Sequence, residues 1–204
     1  MNATELFLRD HSRIHAKGVG EAEGGMYLED LVLGGPTDEQ VRMRPVERVN
    51  SLAWLFWHMA RTEDMAINTV VFGKPQVIES DGWLERLGLS RNDVGTGMTD
   101  DEVGDFTARI DLAAMRAYRA AVGKRTQDLV RAMPVSDWEQ PVDAEAMQRA
   151  QAVGAIGPNA GWLVTVFGGK TKALLLSHAS TCHGFWHLGE AVTVCSLCGA
   201  PLGI

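Results

Sequence analysis

Apolar positions recur at helical spacing through most of the chain, and four stretches carry the pattern far enough to predict long helices. The first runs from about Thr4 to His15, with Leu6, Phe7 and Ile14 among its apolar positions, and Gly18, Gly20, Gly24 and Gly25 discourage its continuation. MYLEDLVL predicts a short helical segment before GGPTDEQ. Pro45 suits the first turn of the second long helix, where a missing N–H breaks no bond. VERVNSLAWLFWHMARTEDMAINTVVF then sets Leu52, Phe56 and Met59 on a buried face and ends near Gly73 and Pro75.

Residues 73–99 have the turn chemistry of a connection, in which DGWLERLGL predicts a helical turn capped by Asp81 and pinned by Trp83. A third long helix fits 100–132, where Phe106, Ile110, Ala114, Ala117 and Val122 approximate one stripe, and Pro134 stops it. The pattern loosens from Pro134 to Gly169, and WLVTVF there reads as a short strand or a helical turn. The last long helix starts at Lys170 or Thr171 and ends around Cys198 or Gly199. Four long helices with irregular connections favour an antiparallel four-helix bundle, one all-α domain over 1–204 that can bury its core without staples.

Charge and composition narrow the function classes. A net charge of -7, from 26 acidic and 19 basic residues with no Lys/Arg cluster, disfavours a general nucleic-acid binder. No run of apolar residues is long enough to span a membrane, and the start carries no export pattern. The three cysteines, Cys182, Cys195 and Cys198, crowd the end of the chain instead of forming a spread disulfide framework, which fits a reducing cytoplasm. Cys195 and Cys198 lack the second pair of a zinc ribbon and fall at a helix end, where a thioredoxin-like pair does not sit. GGKTK at 168–172 lacks the upstream spacing of a phosphate loop.

The strongest chemistry lies in HGFWHLGE. His183 and His187 are one turn apart on the last helix, about 40° around its axis and about 6 Å along it, so both imidazoles can meet one ion. Two ligands from one helix seldom complete a site. His58, in the apolar SLAWLFWHMARTED, is the strongest candidate for the third; the alternative is that His58 bonds to a protein group while the pair serves packing. Glu190, Thr62 and Glu63 are candidates to orient the ligands, although Glu63 lies roughly 140° around the helix from His58. His11 and His15 form another i,i+4 pair with no evident third ligand, suited to a second metal site, to the pocket mouth or to the polar side of the first helix. His178 should point away from His183 unless the helix is distorted, and Trp54, Trp57 and Trp186 either wall a pocket or pack in the core.

RPVERVNSLAWLFWHMARTED followed much later by HGFWHLGE resembles the DinB-like superfamily, particularly the relatives around mycothiol-dependent maleylpyruvate isomerase and related thiol transferases. The likeness reaches from about Leu6 through Gly189 in helix order. It implies a four-helix bundle of up-down-down-up arrangement and a divalent metal held by three histidines, here His58, His183 and His187, with a position open to water or substrate. Zinc is the first expectation and nickel also accepts imidazole. The implied activity is a transferase or isomerase in which the ion activates water or a low-molecular-weight thiol toward an electrophilic small molecule, in a protein that forms a homodimer. Glu190 stands where the family often has glutamine, which weakens a direct transfer of substrate. The alternative class is a non-catalytic, metal-stabilised binding or stress-response protein.

Overall fold

Each long helix of the chain begins where a side chain can take up the free N–H groups of its first turn. The computed structural model describes residues 1–203, with Glu23 described by its backbone alone. Helix α1 (Ala3–Ile14) opens on a reciprocal cap, in which Asn2 accepts from the Glu5 N–H and Glu5 accepts from the Asn2 N–H. It buries Phe7, His11 and Ile14 along one stripe. Two short helices follow, α2 (Leu28–Leu33) and α3 (Asp38–Arg42).

The second long helix, α4 (Leu52–Glu63), starts at Ser51 and not at Pro45. Ser51 accepts from the Trp54 N–H, while the chain around Pro45 turns, with Arg48 in the left-handed region at φ 66° and Arg44 paired with Asp100. Every residue from Leu52 to Arg61 is buried, so α4 is the central helix of the fold. It continues as a π-helical segment over Asp64–Val71, anchored by the buried Asp64 carboxylate. That carboxylate accepts from Arg61, Asn68, Tyr118 and the N–H groups of Val77 and Ile78.

Two expectations for the connecting regions are corrected. Helix α5 (Trp83–Arg86) begins after Gly82 at φ 65°, and Asp81 does not cap it: Asp81 is itself left-handed at φ 52° and accepts from the Ser80 hydroxyl. Residues 100–132 form two helices, α6 (Asp100–Arg109) and α7 (Leu112–Ala132), because Ile110 turns extended and Asp111 caps the second by accepting from the Ala114 N–H. Ile110 stays buried across the break, which keeps the apolar stripe continuous and conceals it.

Beyond Pro134 lie α8 (Ala146–Ala152) and α9 (Trp162–Phe167), so WLVTVF is helical. Thr171 caps α10 (Lys172–Leu176), a π-helical segment spans Ser177–Cys182, and α11 (His183–Leu197) completes the last long helix. Helix α4 packs on α7 and α11, and α1 packs on the same two, so four helical segments close a ring. Gly184 permits the α1–α11 contact: a Cβ there would fall 2.6 Å from Ile14 Cδ1. The fold is all-α, with no strand among the described residues beyond isolated bridges. No described helix is long and apolar enough to cross a membrane. One apolar cluster fills the space between α4, α7 and α11, and a second lies between the π segment after α4 and helices α8, α9 and α10.

Candidate metal centre

Helix α4 contributes His58, and the first two turns of α11 contribute His183 and His187. Their ring centroids lie 4.9, 5.1 and 4.5 Å apart in pairs, and one nitrogen from each falls within 4.8 Å of the others. The outer nitrogens decide what the inner ones can do. His58 Nδ1 is 2.5 Å from the Val94 carbonyl, and a carbonyl only accepts, so the proton sits on Nδ1 and the Nε2 lone pair is free. His187 Nδ1 donates to the Glu190 carboxylate at 2.7 Å, with the same consequence. His183 Nε2 lies 3.1 Å from His58 Nε2, while its Nδ1 is buried with no partner. The proton of His183 is the single uncommitted one in the group: placed on Nε2 it donates to His58, and placed on Nδ1 it leaves three lone pairs facing one point.

Burial holds His58 and His183 neutral. Desolvation pulls His58 down to about 4 against the Val94 bond, and nearby His187 lowers it further. Desolvation pulls His183 down to about 2, with His58 and His187 acting in the same direction. Neutral imidazole is the ligand form of histidine. Trp54 stacks on His58 at 4.5 Å between centroids, and Trp186, 74% exposed, lies over His187 at 6.5 Å. Trp57 does not wall the site. It faces Phe106 of α6 and belongs to the core, because it precedes His58 by one residue and so lies about 100° around α4 from it.

A cavity of about 150 Å³ adjoins His58 and His183. Its walls come from the π segment after α4 (Met65, Val70), from α8 (Met147), from α9 (Leu163, Phe167) and from the last helix (Leu175). His178 lines it too. The π-helical segment draws His183 N–H to the His178 carbonyl, an i→i+5 bond, and this wider turn brings both side chains onto the cavity. A regular helix would have separated them, and no motif in the sequence announces the distortion.

Glu63, Thr62, His11 and His15 do something else. Glu63 is turned away from His58 and accepts from both histidines of α1, at 2.8 Å from His11 Nε2 and 3.1 Å from His15 Nε2, with all three buried. Donor atoms of this group also lie within 4.8 Å of one another. Its protons are arranged differently, however. Gln127 Oε1 accepts from Arg131, which orients its amide nitrogen toward His11 Nδ1 at 3.3 Å as a donor. His11 therefore carries its proton on Nε2 and gives it to Glu63. Burial would raise the Glu63 carboxyl, but His11 and His15 outweigh it and hold it well below the usual range. Of the three places expected for His11 and His15, the pocket mouth and the polar helix surface are corrected, since both are fully buried and neither lines the cavity; so are the orienting roles of Glu63 and Thr62 toward the ligands. Thr62 lines the cavity, and its Oγ1 makes no hydrogen bond to any histidine.

Residues 26–165 match the DinB superfamily. The chain belongs to that superfamily. The match includes His58 and ends before His183 and His187, so the α11 half of the site rests on the geometry above. A crystal structure described as that of the conserved protein of locus from Enterococcus faecalis is similar at a TM-score of 0.63 and 18% identity, covering 97% of each chain, a likeness of fold alone. No curated protein matches the chain. Within this DinB fold the cysteines stand apart from the histidines' ligand nitrogens. Cys182 is exposed beside Ser177, Cys195 is buried against the Val32 carbonyl, and Cys198 ends α11; all three are free.

Proposed function

We propose that this DinB protein is a divalent-metal-dependent enzyme, with His58, His183 and His187 as the ligands and zinc or nickel as the ion. The observation that carries this reading is the fixed pair of outer nitrogens: Val94 and Glu190 each take an Nδ1 proton, which leaves Nε2 as the free lone pair of His58 and of His187 in a group whose ligand nitrogens lie within 4.8 Å of one another. The donor set fits, since three neutral imidazoles suit either metal and leave coordination positions for a further ligand. When bound, the ion supplies a Lewis acid that lowers the pKa of a coordinated thiol or water.

The protein's own groups do the remaining work. Glu190 holds His187 in one tautomer and strengthens it as a donor, and the Val94 carbonyl does the same for His58. Trp54 covers one face of His58 and keeps bulk water from it. The adjoining apolar cavity supports catalysis over a purely structural ion, because a closed structural site has no use for a substrate-sized space beside it. Transfer or isomerisation with a small thiol as nucleophile is the reaction class we infer, in a reducing cytoplasm that suits three free cysteines.

Elemental mass spectrometry on tag-free protein purified without added metal tests the reading, beside a variant with His58, His183 and His187 all changed to alanine. We expect a full equivalent of zinc or nickel in the parent and almost none in the folded variant, followed by thiol-dependent turnover in the parent alone. A parent that stays metal-free after reconstitution sinks the proposal.

A further inference from the structure

The cavity beside the histidines says what kind of molecule the site takes. Its volume of about 150 Å³ is that of a space for one small ring; an apolar cavity of that size elsewhere stays dry and accepts benzene. Its described lining contains no Lys, Arg, Asp or Glu, and apart from the histidines only Thr62 and Thr96 offer hydroxyls. A charged group seated in this space away from the histidines would lose its hydration with no charged side chain to replace it, and a sugar or peptide body would carry several polar groups that the walls leave unpaired. A hydrocarbon body meets neither penalty and removes the walls of Met65, Val70, Leu163 and Phe167 from water.

The polar end of such a molecule has an evident partner. Thr62 lies one helical turn beyond His58 on α4, and its hydroxyl is buried without a hydrogen-bond partner, which a single polar atom near the histidines would supply. Entry is past Trp162, 55% exposed, and His178, whose ring packs against Phe167 at 5.0 Å.

We propose that the cavity binds an uncharged molecule with a single-ring or branched-aliphatic body of roughly six to eight heavy atoms and one polar atom, with Thr62 as a positioning residue at the histidine end. The inference deepens the metal-enzyme reading and rests on it for the word substrate. The fit of a neutral body to the cavity walls does not require the ion.

Saturation-transfer NMR on the full metal-loaded chain, with toluene, benzyl alcohol and benzylammonium as probes, tests it. Toluene and benzyl alcohol should bind, with benzylammonium at least tenfold weaker despite its equal size. Ala179→Leu, which fills the cavity, should abolish binding of both neutral probes while metal content stays unchanged; Ala66→Leu serves if the first variant does not fold. Thr62→Val should weaken benzyl alcohol about fivefold and leave toluene unaffected, a split that a merely structural role for Thr62 would not produce. Equal or tighter binding of benzylammonium, no binding of any probe, or binding that survives the filled cavity would overturn the proposal. Neutral-probe binding lost in Ala179→Leu, in a parent that holds no metal, would support the cavity assignment and reject the metal enzyme; full metal occupancy with no probe binding would do the reverse.

Discussion

Two histidine groups meet at α4, and their ligand atoms converge equally well, yet their surrounding hydrogen bonds are opposite in kind. In the His58–His183–His187 group two outer nitrogens meet acceptors, the Val94 carbonyl and Glu190, so lone pairs face inward. In the His11–His15–Glu63 group the outer nitrogen of His11 meets a donor, the Gln127 amide, so an N–H faces inward and a carboxylate receives it. The first arrangement offers lone pairs to a cation and the second already has its protons. Proximity of donor atoms therefore does not identify a metal site; the hydrogen bonds one layer out do. The second group is a clamp that ties α1 to α4, and Gly123 of α7 makes room for it, since a Cβ there would lie 2.8 Å from the His15 ring.

The contrast is broken most forcefully by exchanging its members. His183→Ala or His58→Ala should take metal occupancy from a full equivalent to near zero, whereas His11→Ala should leave it whole; metal analysis of the three proteins side by side decides. Glu63→Ala should have the mirror effect, a loss of about 3–5 kcal/mol of stability in urea unfolding with metal retained, because two buried imidazoles lose their shared acceptor.

A pH series sharpens the same difference. Burial holds His15 at about 3 in the folded chain against an ordinary 6.5, while Glu63 partly offsets that effect. The native state thus keeps His15 neutral where the unfolded chain protonates it, so its contribution is present above pH 6.5 and is lost as pH falls toward 3. Measured with chelator present, the parent should lose roughly 1.4 kcal/mol per pH unit more than His15→Gln across that window. Equal slopes would remove His15 from the account.

Smaller effects follow. Glu190→Leu should weaken metal binding on the order of 10- to 100-fold without unfolding the chain, as expected for a group that only orients a ligand. Cys198→Ser should change metal content not at all, and a change would mean that the α11 terminus reaches the site.

Much of this was written in local pattern. The stripes at Phe7 and Ile14, along α4 and along the last helix are amphipathic or fully apolar helices whatever surrounds them, and HGFWHLGE fixes two imidazoles on one face because a helix repeats every 3.6 residues. Asp111 is a legible cap inside 100–132, but the apolar stripe runs through the break and masks it. Glu63 lies roughly 140° around α4 from His58, which already argues against a shared site, but that angle says nothing about which helix lies on the other side.

The amino-acid sequence by itself determined the helices, the pair at His183 and His187 and the acidic, cysteine-poor character of the chain, since these depend on residues a turn or less apart or on composition alone. Tertiary structure decided which distant groups complete each histidine. Val94 reaches His58 from a loop, Gln127 reaches His11 from α7, and the i→i+5 bond at His178 opens one helix by a residue. Those partners fix where each proton sits, and a proton's position depends on contacts in space that no spacing along the chain encodes.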